Sequence, residues 1–65
     1  MKFLSRKEVC YLVQLSKAEI ARREVEFDFP LGVKLGTHRN SRVVYVESEI
    51  LEWMARQILI RDKKH

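Results

Sequence analysis

The chain has one cysteine, one proline and two glycines in 65 residues. A lone Cys10 excludes an internal disulfide, which fits a reducing compartment. No apolar run approaches the roughly 18 residues of a membrane span, and Met1–Ser5 does not read as a signal peptide. A soluble, cytoplasmic protein is expected. Metal-ligand spacing is missing as well: His38 has no second His or Cys near it, and His65 falls at the chain end. Cys10 lacks a neighbouring base and a helix N-terminal position, so it reads as a half-buried structural thiol. A chain this short buries only about 60% of its unfolded surface, enough for one small core and too little for a deep cleft beside it. One domain over residues 1–65 is expected, with no cofactor, no metal, no small-molecule substrate and no catalysed reaction. There is no internal repeat or low-complexity segment.

Acidic residues are absent from one stretch in particular. Gly32–Val46 holds Lys34, Arg39 and Arg42 and no acid, whereas Glu47–His65 balances four basic against four acidic side chains. Overall, 13 Lys and Arg against 9 Asp and Glu give a net charge of +4 and a pI near 9.6. The excess is modest but local, and a local positive field suits an anionic partner. An apolar fraction of 46% is that of a folded domain.

Ser5-Arg6-Lys7-Glu8 and Ser16-Lys17-Ala18-Glu19 both have the form of a capping box, in which the serine and the glutamate each satisfy the other's amide. Leu4 and Val9 stand at hydrophobic-staple spacing around the first box. A first helix is expected over Arg6–Val13 and a second from Ser16 to near Glu26. Two boxes this close leave two or three residues between helices, the arrangement of a helix-turn-helix. Pro30 forbids continuation of the second helix. Phe29-Pro30-Leu31-Gly32 reads as a turn, Val33-Lys34-Leu35 and Arg42–Val46 as strands, and Gly36–Ser41 as a polar loop between them. A third helix is expected over Glu47–Arg61, with acids at its start, and residues 62–65 as a frayed tail. The fold is thus mainly α with a small β-hairpin, a winged helix-turn-helix in the order helix, helix, hairpin, helix. The expected core is Leu4, Val9, Leu12, Leu15, Ile20, Phe29, Val33, Leu35, Val43, Tyr45, Ile50, Trp53 and Met54.

In a helix-turn-helix the start of the second helix meets base edges in the major groove. That nominates Lys17, Ala18, Glu19, Arg22 and Arg23, with Ser16 and the helix N-terminus behind it as a phosphate contact. Arg22 is the first choice for a base, because arginine pairs bidentately with guanine. The alternative is a solvated charged face in which Glu19 pairs Arg22 or Arg23. In the hairpin tip, Arg39 is nominated for the minor groove or backbone, Thr37, His38, Asn40, Ser41 and Arg42 for phosphate, and Lys34 as a flanking charge. Tyr45 and Trp53 read as core rather than as platforms for single strands. Glu24, Glu26 and Asp28 form an acidic patch that is either solvated or a contact for a basic protein. Leu51, Leu59 and Ile60 do not all fit on one face with Ile50 and Trp53, which leaves apolar surface near the C-terminus for a second copy or an integrase, or for packing of the helix against Phe3.

The residues resemble the AlpA family, small phage and mobile-element regulators with a MerR-like winged helix fold. Leu15-Ser16, Ile20, Arg22, Phe29-Pro30, Val33-Lys34-Leu35-Gly36, Glu47-Ser48-Glu49-Ile50 and Trp53 carry the likeness, in order and without gaps. Gln14 and Phe27 stand where that family often has glycine at a helix end, so these ends are expected to be built differently. Arg23 stands where an apolar residue is common, and Tyr45 replaces a frequent Trp. The resemblance implies a sequence-specific double-stranded DNA-binding protein of a prophage or integrative element. It would act as an excisionase (recombination directionality factor), as a transcription regulator, or as both. The implied partners are duplex DNA, further copies on adjacent sites and an integrase. The alternatives are a transcription regulator alone and a protein-interaction adaptor that uses the fold without DNA.

Overall fold

A computed structural model describes residues 1–64. The elements run β1 (Phe3–Ser5), α1 (Arg6–Val13), α2 (Lys17–Val25), β2 (Val33–Lys34), β3 (Val43–Val46) and α3 (Glu47–Lys64). Three helices and a small antiparallel hairpin form the winged helix-turn-helix expected from the sequence. Both capping boxes close: Glu8 N–H donates to Ser5 Oγ at 3.1 Å and Ser5 N–H to Glu8 Oε1 at 2.9 Å. At α2 the matching distances are 3.1 and 3.0 Å. The α1–α2 link is Gln14–Ser16, with Gln14 left-handed at φ 59° and its side-chain amide donating to Tyr11 O at 2.7 Å.

The end of α2 is a Schellman motif closed without glycine. Asp28 N–H donates to Arg23 O at 2.8 Å and Phe27 N–H to Glu24 O at 3.2 Å, while Phe27 takes the left-handed position at φ 57°. The expectation that Gln14 and Phe27 mark differently built helix ends is therefore corrected. The left-handed backbone is kept at both, in residues that adopt it at a cost. Where such a motif usually closes with an apolar contact, Arg23 Nη1 meets Asp28 Oδ2 at 2.9 Å.

Strand β1 is not expected from the sequence. It pairs with β3 in the register Phe3↔Val46, Leu4↔Tyr45 and Ser5↔Val44, so the sheet order is β1-β3-β2 and β3 is central. Three residues show no alternation that distinguishes them from a helix lead-in, and Ser5 serves both as strand end and as helix cap. Glu47 N–H, at the start of α3, donates to Lys2 O at 2.8 Å and continues the join.

The core is Leu4, Val9, Ile20, Phe29, Tyr45, Ile50 and Trp53, with Cys10, Val13, Leu15, Val43 and Met54 packed around it. Phe29 sits edge-on to Tyr45 (centroids 6.2 Å apart) and Trp53 (4.8 Å), and Trp53 Nε1 donates to Asp28 O at 2.8 Å. The expected core needs three corrections. Leu12 is exposed, because the inward face of α1 centres on Val9, Cys10 and Val13. Val33 and Leu35 are exposed because β2 pairs Val33 with Val44 and Lys34 with Val43. That register puts Val33 and Leu35 on the sheet face opposite Tyr45. Gly32 takes the place beside Val43 and Tyr45, where a Cβ would come within 2.5 Å of Val43 Cγ1. Val44, outside the expected core, is 5% exposed on the other face, flanked by both neighbouring strands.

Helix α3 extends three residues past Arg61, so Asp62, Lys63 and Lys64, expected to fray, are helical; His65 lies outside the described residues. No helix among the described residues is long and apolar enough to cross a membrane.

Candidate nucleic-acid interface

The capping box fixes the start of α2. Ser16 Oγ and Glu19 Oε1 are both committed to it, leaving the Lys17 and Ala18 amides without intrahelical acceptors at the positive end of the dipole. The Ser16 amide, and then the Ser16 hydroxyl, hold the Glu19 carboxyl below its ordinary value of 4.5. Glu19 thus answers Ser16 rather than pairing with Arg22 or Arg23.

Ile20 anchors α2 in the core, and its 100° steps decide what faces out. Lys17, Ala18, Ala21, Arg22 and Val25 are exposed, whereas Glu19, Arg23 and Glu24 are half-buried. Arg22 is the one long cation in the middle of this outward face, among small apolar side chains. The sequence reading missed Ala21 and Val25, the latter 78% exposed. Helical spacing would have found them, since Ala18, Ala21, Arg22 and Val25 stand at i, i+3, i+4 and i+7. Arg23 turns the other way. Its guanidinium is held by Asp28, lies 6.0 Å from the Trp53 ring centroid, and keeps Nε buried without a partner.

The wing grows from β2 and β3. Leu35 N–H donates to Arg42 O at 2.8 Å, one step beyond the ladder. The tip is then held by local bonds, Gly36 N–H to Lys34 O at 3.1 Å and Ser41 N–H to His38 O at 3.0 Å. Gly36 has φ +130°, and a Cβ there would stand 2.8 Å from Ser41 Oγ, so the tip requires glycine. Lys34, Thr37, His38, Arg39, Asn40 and Arg42 are exposed and Ser41 is half-buried.

One residue joins the helix to the wing, and sequence reasoning did not find it. Glu24 Oε1 accepts from Tyr45 Oη at 2.9 Å, and Glu24 Oε2 accepts from Gly32 N–H at 3.3 Å. The carboxylate on the inner side of α2 thereby grips both the central strand and the foot of the hairpin. Burial first, and then the Glu24 carboxylate, push the Tyr45 phenol above its ordinary 10.0, with Arg6 opposing. Glu24 and Asp28 are therefore internal partners, and Glu26 alone of the supposed acidic patch is an exposed acid without such a contact. Tyr45 and Trp53 are buried, as expected of core rather than stacking platforms. Among the described residues, no three His, Cys, Asp or Glu side chains group to hold a metal ion.

Residues 2–58 match the family model described as Prophage CP4-57 regulatory protein (AlpA). The chain belongs to the AlpA family. It is a phage-associated regulatory protein, and the match takes in β1, α1, α2, the wing and the first two-thirds of α3. No curated protein and no solved structure matches it. Behind α2 and just beyond its end, Arg23 lies over Trp53, Phe27 holds a left-handed backbone, and Tyr45 supplies a hydroxyl for Glu24.

Proposed function

We propose that this AlpA protein reads duplex DNA in a sequence-specific way, with α2 in the major groove and the wing on the adjacent backbone or minor groove. The observation that carries the reading is the pairing of an outward α2 face built around Arg22 with an acid-free basic wing, the two tied together through Glu24. Arg22 suits guanine, and the methyl groups of Ala18, Ala21 and Val25 suit thymine methyls. Ser16, Lys17, Lys34, Thr37, His38, Arg39, Asn40, Ser41 and Arg42 suit phosphate and sugar, contacts that position without specifying. Glu19 orders the helix start, and Arg23 braces α2 from behind.

One module of this size covers only about 600–1,000 Å² of DNA interface, so useful affinity needs several copies on neighbouring sites. In the source element such loading acts beside attachment sites as a recombination directionality factor, at promoters as a transcription regulator, or at both. No reaction and no cofactor belong to this reading.

The test is binding of the purified protein to attachment-site and promoter fragments of its own element, with an excision assay in cells. Salt-dependent binding at the attachment site, with excision lost when Arg22→Ala is introduced, supports the directionality role. Binding confined to promoters, with excision intact, leaves the regulator alone. Absence of salt-dependent affinity for any duplex overturns DNA reading and favours an adaptor.

A further inference from the structure

Helix α3 is longer than the domain it belongs to. Its 18 residues span about 27 Å, yet its buried residues, Ile50 and Trp53, lie in its first two turns. From Ala55 to Lys64 every residue except Gln57 is exposed. An unsupported helical stretch of this length is marginal in water and gains its stability from an apolar face laid against something. Such a face exists. At 100° per residue Leu51, Ala55, Ile58 and Leu59 fall within about 100° of one another, on the side of α3 turned away from Trp53, while Met54 at the edge of this face packs half-buried against the core. Leu51, Ile58 and Leu59 are 51%, 51% and 59% exposed.

The charges along α3 say what fits there. Glu47–Glu52 carries three acids and no base, and Arg56–Lys64 carries four bases and one acid; Lys2 lies 3.8 Å from Glu47, Arg56 3.9 Å from Glu52 and Arg61 2.9 Å from Asp62, ion pairs at the surface that are weak and leave the polarity of the helix in place. Two such helices side by side in parallel would set like charges against like. Turned antiparallel, they oppose acid with base at both ends and place the apolar stripes in between. The macrodipoles add in the same direction. A surface that complements itself after a two-fold rotation is the signature of an isologous pair.

We infer that the C-terminal half of α3 is a self-association surface and that its occupant is the same helix of a second copy, packed antiparallel. The seam is small. A standard interface takes about 20–30 residues a side, far more than this stripe offers, so the pair is weak and transient in free solution. It forms when copies are concentrated, as on neighbouring sites.

Sedimentation equilibrium of the full chain without DNA tests the inference apart from any DNA reading. The expected result is a reversible monomer–dimer equilibrium that weakens as salt rises. Ile58→Glu raises the dissociation constant by at least about tenfold, the loss of one buried aliphatic contact, while leaving the melting temperature of the monomer in place. A second measurement fixes the orientation. On a Cys10→Ala background, Leu51→Cys and Leu59→Cys proteins are mixed and oxidised. An antiparallel seam gives the mixed disulfide in preference to either homodimer. Preferred homodimers overturn the antiparallel pairing, and a protein that stays monomeric at the highest soluble concentration overturns the surface altogether.

Discussion

Phe27 holds a left-handed backbone with its side chain 85% exposed, so the folded chain bears a conformational cost and recovers little by packing. Phe27→Gly is therefore expected to stabilise the protein by about 1 kcal/mol, read as a higher urea midpoint with an unchanged slope. Gln14→Gly gains less, because it gives up the bond to Tyr11 O. A fall in stability on Phe27→Gly would show that the ring makes contacts of greater worth than its exposure implies. Nothing in the structure explains why phenylalanine occupies this place. On the outward face of α2, Arg22→Ala is expected to cost about 1–3 kcal/mol on the best DNA site and to relax preference at one base pair. Arg39→Ala should weaken all sequences alike and flatten the salt dependence by about one unit. Replacing thymine by deoxyuridine removes only the methyl and should weaken binding beside the Arg22 contact, where Ala18, Ala21 and Val25 lie. Competition binding on matched duplexes separates these cases. Uniform losses for Arg22→Ala would end its role as a base reader.

At the scale of elements, the orientation of the wing against α2 depends on Glu24, Tyr45 and Gly32. Tyr45→Phe removes one of the two partners from a half-buried carboxylate and is expected to cost about 1–3 kcal/mol of stability. DNA affinity should fall by a similar factor on every sequence, since the wing loosens while the base-reading face is untouched. Denaturation and anisotropy titrations check both parts. The same contact makes stability sensitive to alkali. Because the folded pKa of Tyr45 is raised, its contribution is present below 10.0 and lost as pH climbs through the raised value. The capping glutamates act at the other end. Glu8 and Glu19 are lowered from 4.5, each first by the serine amide it accepts from, so the stability they add is present above 4.5 and fades as pH drops through the lowered values. Glu8→Gln with Glu19→Gln should flatten the acid limb of the melting profile, and an unchanged limb would place the acid sensitivity elsewhere. The capping boxes were legible in the sequence because all their partners lie within four residues. Strand β1 was not, because its evidence is a pairing with residues about forty positions away. The faces of β2 were misjudged because alternation gives two faces without saying which is inward; the register with β3 decides that, and Gly32 is the residue that fits the inward side.

For the whole molecule, a helix-turn-helix with a wing was legible from helix starts, one proline and a basic loop, since each of these is local. The site was legible in part. Exposure could be read for Lys17, Ala18 and the wing tip, which lie on or near loops, and for Arg22, four residues on from Ala18 and so on its face. Arg23 and Glu24 are indistinguishable from surface charge in the sequence, and only the packing of α2 against Trp53 and Tyr45 turns them inward. The family match over residues 2–58 stops within α3, before the basic end that gives this helix its charge polarity. If the molecule reads base sequence through α2, selection of bound sequences from a randomised duplex pool at near-physiological salt will show it. The expected result is a recurring motif with a guanine beside thymines that Arg22→Ala erases, and an inverted repeat of that motif if paired α3 helices present two copies at once. A pool that remains random after repeated rounds would contradict it.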